Sequence, residues 1–134
     1  MVGGRRIGRW RRDAVPRVGL LHEALVDLIA DIGEPGDVVL AACARLDRRI
    51  AELDRWLLRH PCPGPWTEQC VRDLLGACAG LWATTVHVAR RTPAGIDAGA
   101  AHLPASCASE MSARVDALET ALAGVQRAGL LGRG

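Results

Sequence analysis

The 134-residue chain has no Lys, Asn, Tyr or Phe, and its four Trp residues are its only aromatics. No segment alternates apolar and polar residues with period two over a useful length, and with so few aromatics a β-sheet core is not expected. All 17 basic residues are Arg. The four missing residue types are those of AT-rich codons, so the lack of Lys reflects coding composition and by itself carries no functional signal. That holds even though a guanidinium grips phosphate or carboxylate bidentately and an ammonium does not.

Long apolar runs are also absent, since none approaches the ~18 residues of a membrane span. Residues 1–12 carry five Arg with no apolar stretch behind them, unlike a secretory signal. Five Cys is an odd number and argues against a disulfide framework. No Cys-x-x-Cys, His-x-x-x-His or Glu-x-x-His spacing occurs, so neither a structural zinc site nor a di-iron bundle is indicated. The expectation from these absences is a cytoplasmic, non-enzymatic chain with no metal and no cofactor.

What is present is helical periodicity in a chain that is 49% hydrophobic. Val18, Leu21, Leu25, Leu28 and Ile32 recur at steps of three and four, and Gly33 closes the run. After Pro35, the positions Val39, Cys43, Leu46, Ile50, Leu53 and Leu57 continue the same rhythm without a break. Three Pro and one Gly in residues 60–65 force a turn. A third seam follows in Val71, Leu74, Cys78, Leu81, Thr85 and Val88. After a connection over 92–104 with room for a short extra helix, Ser106 is placed to cap a fourth, carrying Met111, Val115, Leu118, Leu122 and Val125, and Gly129 stops it. Near-heptad seams joined by short connections predict an all-α fold, an antiparallel four-helix bundle. The division expected is a mobile basic arm over 1–13, one bundle domain over 14–129 and a frayed tail over 130–134.

Charge is unevenly placed. Residues 1–17 hold six Arg against one acid, and the rest holds eleven Arg against fourteen acids, giving +5 and −3. A mobile basic arm contacts phosphates through counterion release, which makes Arg5, Arg6, Arg9, Arg11 and Arg12 candidate nucleic-acid-binding residues, with Trp10 stacking on a base. In an up-down-up-down bundle, Arg55, Arg59 and His60 at the end of helix two join that patch. The structural alternative for the helix-two arginines is local pairing such as Arg48 with Glu52.

Two segments, Arg17-Val-Gly-Leu-Leu-His22 and Arg55-Trp-Leu-Leu-Arg-His60, place His five residues after Arg. This spacing resembles the signature of the HEPN ribonucleases, helical bundles that act as dimers. The resemblance implies that Arg55 and His60 meet at a dimer cleft, where the cation stabilises a developing phosphorane and the imidazole moves a proton. It covers six residues, and Trp56 stands where that family places a polar residue.

Cys43 and Cys78 occupy seam positions, which predicts buried core thiols; a soft-metal site among Cys43, Cys78 and His87 is the competing reading. Trp56 and Trp66 flank the Pro-rich turn and are expected to cover that end of the core, while Trp82 borders the third seam. Val38, Leu40 and Leu58 on helix two, and Leu75, Trp82 and Val86 on helix three, are apolar beyond their seams. Wide apolar faces imply more than one packing partner. The leading expectation is therefore a non-enzymatic interaction or regulatory module, a homo-oligomer or a subunit bound to a protein partner, with Leu58, Trp56 and Trp82 as interface candidates. The alternative is a nucleic-acid-associated bundle with HEPN-like ribonuclease activity.

Overall fold

The computed structural model describes residues 2–32, 34–91 and 105–131. These form helices α1 (Val2–Asp31), α2 (Gly36–Arg59), α3 (Pro65–Arg91) and α4 (Ala105–Arg127), with no strand among the described residues. Consecutive helices pack against one another, and the architecture is the all-α bundle that the seams predict. The 92–104 connection, Gly33 and residues 132–134 lie outside the described residues.

Each seam becomes core. Val18, Leu21, Leu25 and Leu28 of α1 are buried, as are Val39, Cys43, Leu46 and Leu53 of α2. All six seam residues of α3 are buried as well. On α4 the buried line is Leu118, Ala121 and Val125, continued by Ala128 just past its end, with Met111, Val115 and Leu122 packed at its edge. With no Phe or Tyr to supply volume, the fully buried side chains are mostly leucines, and Trp56 is the largest residue of the core.

The helix ends follow local chemistry. Pro65 opens α3 at a first-turn position, where a missing backbone N–H costs nothing. The α4 terminus closes with Gly129 at φ 75, the Leu130 amide donating to the Val125 carbonyl and the Gly129 amide to the Gln126 carbonyl, both at 3.0 Å. This Schellman pattern brings with it an apolar contact at the residue after the glycine, and Leu130 is fully buried. Leu130, expected in the frayed tail, thus belongs to the core.

Residues 2–13, expected as part of a mobile arm, are helical: α1 runs from Val2 through Pro16 to Asp31 as one helix. Pro16 removes a backbone donor inside it, and the Arg17 guanidinium donates to the Asp13 carbonyl beside that gap at 2.7 Å. Trp10 packs against the core, and its indole N–H donates to the His60 carbonyl at 2.8 Å. The Arg11 guanidinium lies over Gly129 at the end of α4, where an added Cβ would sit 3.6 Å from its Nε. Glycine's low helix propensity, about 1 kcal/mol per residue, is outweighed here by tertiary contacts. Trp10→Ala is expected to lower unfolding free energy by about 2 kcal/mol in urea titration, whereas a free arm would leave the midpoint unchanged.

Burial raises the thiol of Cys43 to about 11 and that of Cys78 to about 12, against an ordinary 9.0. Both are protonated and unreactive at neutral pH. Above pH 9 the unfolded chain releases these protons while the folded chain retains them, so the folded state binds more protons and stability falls as pH rises. The loss reaches about 1.4 kcal/mol per pH unit for each thiol up to its folded pKa. Because the chain has no Lys or Tyr, few other side chains titrate in that window. The double variant Cys43→Ala/Cys78→Ala should flatten most of the decline in stability between pH 9 and 11, measured by urea unfolding at successive pH values.

Candidate interaction surfaces and the Trp56 corner

The N-terminal end of α1, the C-terminal end of α2 and the C-terminal end of α4 converge at one end of the bundle, as the Trp10 and Arg11 contacts show. Trp56 is the centre of this corner. Its ring stacks on His60 with centroids 4.8 Å apart and planes 15° from parallel, and it meets Trp10 at 5.7 Å and 41°. The Arg17 guanidinium lies 4.8 Å from the Trp56 centroid in a cation–π contact. His60 is the C-cap of α2, with its amide donating to the Trp56 carbonyl at 2.9 Å and its Nδ1 3.1 Å from the same oxygen.

This geometry rearranges the two Arg-x4-His segments. Five residues along a helix turn about 140°, so Arg17 and His22 leave α1 in different directions. Arg55 donates back to the Ala51 carbonyl at 3.4 Å, while His60 stacks on Trp56. The two residues brought onto one ring are Arg17 of the first segment and His60 of the second. Trp10, placed by sequence as a base-stacking side chain, is engaged by Trp56 and the His60 carbonyl.

Arg9, Arg11, Arg12, Arg55 and Arg59 at this end are exposed, and Arg5 and Arg6 belong to the first turns of α1. On α2, Glu52 pairs with Arg49 at 2.9 Å rather than with Arg48, and Arg45 reaches Asp31 of α1 at 3.7 Å. Such exposed pairs contribute well under 1 kcal/mol each.

The interface candidates separate sharply. Trp56 is 8% exposed and belongs to the core, which removes it from any outer surface. Trp82 is half-buried against the core, as are Leu75 and Val86, so the apolar excess of α3 is consumed within the bundle. Leu58 is 77% exposed. It borders a depression of about 270 Å³ between α2 and α3, with Leu57, Pro61, Cys62, Val71 and Leu75 as apolar lining and Asp54, Glu68 and Arg72 as charged residues. Arg72 is tied to Glu68 by two hydrogen bonds of 3.1 and 2.9 Å.

Two apolar features escaped the sequence reading. Trp66, expected to cover the core, is 58% exposed beside a shallow groove between α3 and α4. Val15, Val26 and Ile29 of α1 are also exposed. The signal for the α1 residues was available, because Val15, Gly19, His22, Val26 and Ile29 repeat the heptad rhythm one position after the seam.

Cys43 and Cys78 are buried while His87 is exposed, so the three do not share one environment. Among the described residues no group of three or more His, Cys, Asp or Glu side chains converges as a metal site would require. The buried side-chain polar atom without a partner among the described residues is Thr85 Oγ1, a lone hydroxyl with no charged group to make it a ligand site. No described helix is long and apolar enough to cross a membrane. No known protein family, curated protein or solved structure matches the chain.

Proposed function

We propose that this chain is a non-enzymatic helical interaction module that works through protein–protein contacts as an oligomer, with Leu58 as an anchor of its contact surface. The observation that carries this reading is the exposure of Leu58 at the edge of the apolar depression between α2 and α3. A leucine left in water beside an unfilled apolar hollow forgoes about 1.5–3 kcal/mol of burial that a partner's side chains restore. The hollow takes an apolar side chain, and its charged residues give the contact a polar edge. Leu58→Asp is expected to lower the solution mass measured by light scattering after size-exclusion chromatography, with helicity unchanged by circular dichroism. An unchanged mass in a folded variant overturns the role of Leu58.

A second reading has its own support. The end where α1 meets α2 and α4 collects Arg9, Arg11, Arg12, Arg55 and Arg59 at the surface, which suits phosphate contact and a nucleic-acid partner. HEPN-like cleavage by Arg55 and His60 receives less support, because the two side chains take different partners. Binding to a short single-stranded RNA should weaken steeply between 50 and 200 mM salt, and Arg9→Gln/Arg12→Gln should make that slope shallower by about two contacts. Absence of binding at low salt removes this reading.

A further inference from the structure

Resting on the nucleic-acid reading, we infer that Trp66 is the platform on which an unpaired base of a single strand stacks, with Arg127 beside it holding a phosphate. Trp10 cannot serve, because the Trp56 ring and the His60 carbonyl hold it. Of the four tryptophans, Trp66 is the one left exposed, at 58%. An indole so placed offers its π-face to any base, and stacking of this kind tolerates every sequence. Pro65 fixes the backbone at the residue before it, which holds the attachment of the ring rigid.

The packing of α3 on α4 brings a phosphate contact to the same place. A Cβ added at Gly124 would lie 3.9 Å from Cys70 Sγ, and one added at Gly80 would lie 3.1 Å from Arg114 Nη1. Ten residues forward on α3 thus match ten residues back on α4, and this antiparallel register sets Trp66 level with the last turn of α4, at Arg127. Both side chains line one groove of about 660 Å³, within the range of small-ligand sites. Cys70 and Gly124 come next along it, followed by Ala121, Ala117, Ala77 and Gly76, so small side chains leave the space beside the indole open.

Charge selects the occupant. Arg127 is exposed, and no ion pair holds it among the described residues. The acids that follow Trp66 on α3 are already engaged: Glu68 takes two hydrogen bonds from Arg72, and Asp73 accepts from the Gln69 amide at 2.7 Å. Arg11 lies over Gly129, two residues beyond Arg127, so the groove opens onto the exposed arginines of the α1 and α2 ends. No Asp or Glu occurs in residues 1–12 or 120–134 to offset them. An apolar protein segment would desolvate these cations without pairing them, whereas a phosphate backbone pairs them and gains by releasing its counterions.

The test is binding of a short single-stranded oligoadenylate RNA to the full chain at low salt, followed by tryptophan fluorescence and by anisotropy of a labelled strand. Stacking on the exposed indole should quench its emission. Trp66→Leu keeps an apolar side chain without a π-face; it should lose the quench and bind about tenfold more weakly, with helicity unchanged, and Trp66→Phe should recover most of the affinity. Arg127→Gln should make the slope of log K against log salt shallower by about 0.7, the share of one phosphate on a single strand. A strand of equal length without bases should bind the wild type and Trp66→Leu alike. Failure of every strand to bind at low salt removes the nucleic-acid reading and this inference with it. Salt-dependent RNA binding that Trp66→Leu leaves unchanged upholds that reading and overturns the role of Trp66, as does a base-free strand that Trp66→Leu weakens equally. A Trp66→Leu variant with lowered solution mass and unchanged RNA affinity places the ring in a protein contact and likewise overturns the inference.

Discussion

Burial of one aliphatic seam per helix in a common core is the constraint from which the rest of the molecule follows. Leucine and valine seams on α1, α2 and α3, and a leucine, alanine and valine line on α4, leave each helix no freedom to rotate about its axis. Once rotation is fixed, every other side chain has an assigned direction. On α3 the apolar residues beyond the seam, Leu75, Trp82 and Val86, fall close enough to pack at the core's edge. On α1 the second stripe falls too far round, and on α2 Leu58 points out at the bundle's end. Surplus apolar surface is therefore placed by the same packing that makes the core.

Electrostatics accounts for the basic segment in terms that need no external partner. The last carbonyls of a helix carry partial negative charge and lack intrahelical donors. At this end α2 and α4 both present such termini. Trp10 of α1 donates to the His60 carbonyl, and the Arg11 guanidinium lies over Gly129. Arg17 meanwhile covers the Trp56 ring and satisfies the Asp13 carbonyl beside Pro16. Arg11 and Arg17 thus have partners where the three helix ends converge, and the exposed side chains of Arg9, Arg12, Arg55 and Arg59 are what a phosphate backbone would meet.

The seams were legible in the sequence because a period of three and four is a local property, readable from residue types alone. Gly129 stops α4 for an equally local reason. The helical state of residues 2–13 was not legible, since it depends on Trp56 and His60, some fifty residues away, and local propensity argued the other way. Trp56 and Trp66 looked equivalent on either side of the Pro-rich turn. Only the rotation of α2 and α3 about their axes decides that one is core and the other surface. For the same reason Glu52 finds Arg49 instead of Arg48: both spacings are permitted on a helix, and rotamers choose between them. The α1 stripe was legible in principle, but a seam counted once hides a second one offset by a single residue.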